Sequence, residues 1–77
     1  MCFPIIDMKR TGQNIIFLHT EHGLSVRELQ RLLGFATPQA IYKWQNGTSL
    51  PTIDNLVALS CIFSTPIDAI LVTDKAS

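Results

Sequence analysis

The sequence predicts an all-α domain of five short helices and no strands, on two observations. Apolar residues recur at spacings of three and four, and glycine, proline and serine or threonine fall between those runs. At 77 residues, 47% of them hydrophobic and 16% charged, the chain is sized for one small domain spanning 1–77. It can bury a modest core over about residues 7–72.

The first helix can be capped by Asp7 or Thr11 and ends near Gly23, with Met8, Ile15, Leu18 and His22 sharing one face. Gly12 is expected to weaken its first turn slightly. Ser25 and Glu28 form an S-x-x-E capping box that opens the second helix. Its Leu29, Leu32 and Leu33 point inward, and Gly34 stops it. Thr37 is then expected to cap the third helix, with Pro38 at the first position, where no N–H is needed. Ala40, Ile41 and Trp44 form its inward stripe, Gln39, Tyr42, Lys43 and Asn46 remain outside, and Asn46-Gly47 ends it.

Thr52 can cap a fourth helix running to about Phe63, whose buried face is Ile53, Leu56, Leu59, Ser60 and Phe63. Thr65-Pro66-Ile67-Asp68 repeats the capping logic for a short fifth helix ending near Val72. Residues 73–77 are expected to fray.

Composition removes several function classes. No stretch reaches the length of a transmembrane span, and the apolar run near Phe3–Ile6 is too short for a secretory signal and lacks its basic start. A cytoplasmic protein is expected. Cys2 and Cys61 make no disulfide framework and read as thiols in a reducing compartment, Cys61 toward the flank of its helix. The six carboxylates are scattered, mostly at cap positions, and no Ser or Cys has an evident base and orienting partner, so no enzyme is predicted. His19 and His22 lie three apart on one helix but lack the further ligands that a metal needs; neither metal nor cofactor is expected.

The formal net charge is zero, which counts against nucleic-acid binding, but the charges are unevenly placed. Residues 1–50 carry five basic and three acidic side chains, and residues 51–77 carry one and three. The N-terminal two-thirds is therefore the face to present to a polyanion, through few phosphate contacts.

Residues 25–46 read as two short helices joined by a tight corner, a helix-turn-helix. A helix that reads DNA needs polar groups on an exposed N-terminal end while apolar packing fixes its back. The third helix meets both requirements. Gln39 suits the N6 and N7 edge of adenine, and Lys43, one turn on, suits guanine acceptors or a phosphate. Tyr42 can stack, donate to a phosphate or touch a thymine methyl, and Thr37 is a fourth base-reading candidate whose hydroxyl is partly committed to capping. Phosphate contacts are expected from Ser25 and Val26 at the start of the second helix, assisted by Arg27, and from Asn46, Thr48 and Ser49 after the third.

The combination of Leu24-Ser25, Glu28-Leu29, Gly34, Gln39-Ala40-Ile41, Lys43-Trp44, Asn46-Gly47, Pro51, Leu56, Leu59-Ser60 and Ile67-Asp68 resembles the Cro/C1-type (XRE-like) helix-turn-helix family of bacterial and phage regulators. The match covers about residues 11–72. It implies a five-helix lambda-repressor-like DNA-binding domain, acting as a homodimeric transcriptional regulator, a repressor, on palindromic double-stranded operators. The resemblance places Gln39 and Lys43 at base-reading positions, Pro38 at a position often held by a reader, and Asn46 at a phosphate-contacting one.

Three departures stand out. From Gly34 to Ile41 there is one residue more than in the commonest pattern, so the corner is longer. Pro38 removes a side-chain donor. Where many members pair an arginine of the first helix with a glutamate near the end of the third, this chain has His19 and Gln45, which can substitute a neutral hydrogen bond.

The rival reading is a protein-interaction module or antitoxin on the same scaffold. Ile16 and Phe17 lie off the Ile15 and Leu18 face and are expected to be exposed, near the apolar Phe3, Ile5 and Ile6. An N-terminal arm folded back over Phe17 would bury both. A second apolar set, Ile62, Ile67, Ile70, Leu71 and Val72, exceeds what a short terminal helix needs for docking and is a candidate homodimer surface.

Overall fold

The computed structural model describes residues 3–76. Its order is β1 (Phe3–Ile6), α1 (Met8–Glu21), α2 (Val26–Leu33), α3 (Gln39–Asn46), α4 (Ile53–Phe63), α5 (Ile67–Ile70) and β2 (Thr73–Ala76). The five helices stand where the apolar spacing puts them, and no helix among the described residues is long and apolar enough to cross a membrane.

Helix starts follow sequence chemistry where the capping group is in reach. Asp7 caps α1, its carboxylate accepting the Arg10 N–H at 2.9 Å. Ser25 and Glu28 complete the reciprocal capping box of α2, with bonds of 3.1 and 3.2 Å. Three expected caps are corrected. Thr37 makes no capping bond because α3 begins at Gln39 and Pro38 takes the N-cap position, leaving the Thr37 hydroxyl one residue too far out. Thr52 holds the N-cap position of α4 but gives its hydroxyl proton to the Asp54 carboxylate. Thr65 bonds back to the Phe63 carbonyl at 2.9 Å, and Pro66 precedes α5.

One contiguous apolar cluster draws Ile15 from α1, Leu29 from α2, Ile41 and Trp44 from α3, Leu56, Leu59 and Phe63 from α4, and Ile70 from α5. Two expected core residues are outside it. Leu32 is 58% exposed because the inward stripe of α2 runs 26-29-33 and leaves position 32 on the rim; Ile53 is 80% exposed at the first turn of α4, where the stripe is 56-59-63. The C-terminal apolar set is used internally: Ile70 is fully buried, and Ile62, Ile67 and Leu71 pack against the core.

Helix α1 packs most closely on α3. A Cβ on Gly12 would stand 2.6 Å from the Gln45 carbonyl oxygen and nearer still to that of Trp44, so the residue expected to weaken α1 is what lets the two backbones meet.

The strand-free expectation and the frayed tail are corrected together. β1 and β2 pair antiparallel, in register Phe3↔Ala76 through Ile6↔Thr73, and the Asp7 N–H continues the ladder to the Val72 carbonyl at 2.8 Å. α1 brings these ends together. Asn14 Nδ2 donates to the carbonyls of Ala69 and Ile70 at 3.0 and 2.9 Å, and the buried Thr11 hydroxyl accepts the Val72 N–H at 2.9 Å. Leu71 is already extended, so α5 ends two residues before Val72. The pairing joins segments some 70 positions apart in sequence, and nothing in a local window reports it.

Of the two cysteines, Cys61 is an exposed free thiol, while Cys2 lies outside the described residues. The side chain of Phe3 is likewise not described.

Candidate nucleic-acid interface

Ile41 and Trp44 are 0% and 4% exposed, and they seat the inner side of α3 in the core. Residues one position on from a buried stripe turn roughly 100° away on a helix of 3.6 residues per turn. The outer side accordingly carries Gln39, Tyr42, Lys43 and Asn46, all exposed. Gln39 opens the helix, and Lys43 stands one turn later on the same side. Thr37 is exposed in the turn before α3, its hydroxyl free of the capping role expected for it.

The corner before α3 is set by Gly34, whose φ of 73° ends α2 in the left-handed region and returns its N–H to the Arg31 and Gln30 carbonyls. Phe35 then packs edge-on against Trp44, ring centroids 5.7 Å apart, and its carbonyl accepts the Gln30 amide at 3.2 Å. The long corner is thus tied to both α2 and α3.

At the far end of α3 the Gly47, Thr48 and Ser49 N–H groups close on the Trp44 and Lys43 carbonyls. Those amides are used by the helix end, so what this loop offers a phosphate is the exposed Thr48 hydroxyl and the half-buried Ser49 hydroxyl. At the start of α2 the Ser25 hydroxyl accepts the Glu28 N–H while its proton stays available. Val26 is half-buried against the core and offers only its backbone; Arg27 is exposed.

The expected sites lie on the α2 start, α3 and the loop after α3. Their rigidity comes partly from His19, 8% exposed. Its Nδ1 lies 2.7 Å from the Leu24 carbonyl oxygen and its Nε2 lies 3.1 Å from Gln45 Nε2. A carbonyl only accepts and an amide NH2 only donates, so this geometry puts the ring proton on Nδ1 and leaves Nε2 as acceptor. The neutral substitute for an ion pair therefore forms and links α1, the entry to α2 and the end of α3.

Sequence reasoning missed a cleft of about 580 Å³ between α2 and α3. Val26, Phe35, Pro38 and Tyr42 give it an apolar lining, and Arg27, Gln30 and Arg31 border it on the α2 side. The legible signal was Arg27 and Arg31 at i and i+4, on the side of α2 away from Leu29 and Leu33. The expected exposure of Ile16 and Phe17 is also found, at 40% and 58%; the N-terminal arm pairs with β2 and leaves Phe17 uncovered.

Comparison with known proteins gives one family and several solved structures that share the fold. The model of the helix-turn-helix family matches residues 20–70. No curated protein sequence matches significantly. A transcriptional regulator from Listeria innocua superposes with a TM-score of 0.71 at 26% identity, over 79% of this chain and 56% of that one. The restriction-modification controller protein C.AhdI from Aeromonas hydrophila gives 0.73 at 22%, over 83% and 96%. FeII HppE in complex with substrate gives 0.74 at 21%, over 86% of this chain but only 38% of that protein.

Proposed function

Because the chain belongs to the Cro/C1-type helix-turn-helix family, we propose that it is a sequence-specific DNA-binding transcriptional regulator, a repressor, working in the cytoplasm without enzymatic activity. The carrying observation is the two-sided chemistry of α3: Ile41 and Trp44 buried behind, Gln39, Tyr42 and Lys43 exposed in front. A helix so fixed presents amide, phenol and ammonium groups to base edges without moving, which is what major-groove reading requires.

In this reading α3 enters the major groove, with Gln39, Lys43, Tyr42 and Thr37 toward the bases. Ser25, Val26 and Arg27 on one side and Asn46, Thr48 and Ser49 on the other hold the phosphates. Residues 1–77 act as a single unit with the helix-turn-helix at 25–46. Two copies bind an inverted repeat, their α3 helices about 34 Å apart, one turn of the duplex. The Listeria and Aeromonas proteins, a transcriptional regulator and a controller protein, support the assignment to regulation.

Selection from random duplexes at two salt concentrations tests this. An enriched inverted repeat with half-sites one turn apart, and an affinity that falls with salt, is the expected result. Recovery of no sequence preference at either concentration overturns it.

A second reading rests on Phe17 and Ile16, whose exposure favours a protein partner on α1. Phe17→Glu separates the two: loss of a partner complex with DNA affinity intact supports the interaction surface, and an unchanged complex removes it.

A further inference from the structure

Apart from Tyr42 on the reading face, the exposed large apolar side chains among the described residues form a row in one place. Ile5 and Ile6 are neighbours on β1 and point to opposite faces, Ile16 and Phe17 diverge by about 100° around α1, and Leu32 stands alone on α2. On α4, Ile53 and Val57 are 80% and 56% exposed, and Cys61 is an exposed thiol. These positions follow one another at intervals of four, so they make a single ridge along the outside of the helix.

The inner side of α4 is Leu56, Leu59 and Phe63, all buried in the core. The helix is therefore apolar on two sides, and Asp54 in its first turn is its only charged residue. A helix apolar nearly all round is ordinarily covered all round, and here the domain covers one side. The C-terminal apolar residues Ile62, Ile67 and Leu71 are used within the core, which leaves the α4 ridge as the surface for a contact between copies.

The ridge fits a second copy of itself. A two-fold contact must be self-complementary, and this ridge is centred on Val57, with the larger Ile53 four positions before it and the smaller Cys61 four positions after. Packed antiparallel about the axis, Val57 meets the second copy's Val57, and each Ile53 meets the other copy's Cys61, large against small at both ends. Asp54 lies off the ridge, so no carboxylate is buried against its own copy. Ile53 also follows Ser49 by four residues, at most about 14 Å of chain, so the ridge begins beside the loop assigned to the phosphates.

We propose that the outer face of α4 is the contact between two copies of this chain, antiparallel and centred on Val57. It deepens the dimeric DNA-binding reading and rests on it for the operator's part in the test. Three side chains from each copy fall far below the roughly 20–30 residues a side of a stable interface. The contact is accordingly weak in the free protein and completes on the operator, where the duplex holds both copies together.

The test uses the whole chain. In a Cys2→Ser, Cys61→Ser background, Val57→Cys puts its two thiols on the axis, within reach of a disulfide. Mild oxidation is expected to give a covalent dimer, more of it with the selected duplex than without. With Cys2→Ser alone, the two Cys61 thiols stand about 12 Å apart along the helix and are expected to stay unlinked. Val57→Glu, confirmed folded by circular dichroism, is expected to bind a single half-site as the wild type does and to lose the second copy's gain in affinity, about 5–150-fold. No link at position 57 with or without the duplex, a link at Cys61 instead, or an undiminished gain in Val57→Glu overturns the proposal. If no duplex is selected, yet Val57→Cys links and Val57→Glu lowers self-association in sedimentation, the contact stands and the DNA reading falls. Independent binding of the two half-sites by the wild type keeps that reading and removes the contact.

Discussion

Gln45 donates a hydrogen bond to His19 over 3.1 Å between their Nε2 atoms, joining α3 to α1 at the place where related regulators are expected to carry an ion pair. The other ring nitrogen faces the Leu24 carbonyl, so one buried side chain fixes three segments without burying a charge. Removing two desolvated charges can be neutral for stability, whereas stranding one partner is costly.

A double-mutant cycle with His19→Leu and Gln45→Leu is therefore expected to show coupling. Each single change leaves a polar group without its partner, and the interaction term in urea unfolding should be about 1 kcal/mol. Additive effects would show that the pair contributes nothing of its own.

Gly12→Ala is expected to destabilise. Alanine ordinarily gains about 0.5–1 kcal/mol over glycine inside a helix, but here the new methyl would collide with the backbone carbonyls of Trp44 and Gln45, which cannot rotate away. Overpacking of this kind costs about 1–3 kcal/mol or more, so the net change in denaturant midpoint should be a loss; a gain would mean α1 and α3 are further apart.

Thr11→Val keeps the shape of the side chain and removes the acceptor for the Val72 N–H. The site is 1% exposed, so water cannot replace the hydroxyl, and the cost should be about 1–3 kcal/mol. Hydrogen exchange is expected to quicken first at Val72 and in β1 and β2, whose alignment depends on that bond; uniform quickening across all helices would contradict this local role.

Gln39→Ala is predicted to weaken binding to the selected operator by about 1–3 kcal/mol and to relax one base position. Lys43→Ala, if it meets a phosphate, weakens all sequences alike and lowers the salt slope by about 0.9; if it meets guanine, it relaxes a second position. Both residues are exposed, so the melting temperature should hardly move. Unchanged specificity in both variants would argue against α3 as the reader.

The Thr52 hydroxyl bonded to the Asp54 carboxylate lowers that group below its ordinary value of 3.8. A carboxyl lowered in the folded state contributes stability above its unfolded value and loses it as the pH falls through its folded one. Thr52→Val should raise the Asp54 midpoint in an NMR titration, and the stability difference from wild type should disappear at the acid end. A midpoint that stays in place would mean the bond does not persist in solution.

The helices and most of the proposed interface were legible in the chain because their causes are local. The Ser25–Glu28 box, the glycines at 34 and 47, and the stripe of Ile41 and Trp44 each act within a turn or two, and an outward Gln39, Tyr42 and Lys43 follow once the stripe is placed. Leu32 and Ile53 were misplaced because periodicity gives a direction on a helix but not how far the core extends along it.

The residues themselves thus determined where helices start, stop and turn their apolar sides, since propensity, capping and period act over a few positions. Tertiary structure alone decided that Gly12 is a point of backbone contact, that His19 faces Gln45, that Arg27 and Arg31 border one cleft, and that the two ends pair as strands. Each of these depends on how segments distant in sequence meet, and that is fixed by the packing of the whole core rather than by any one stretch of chain.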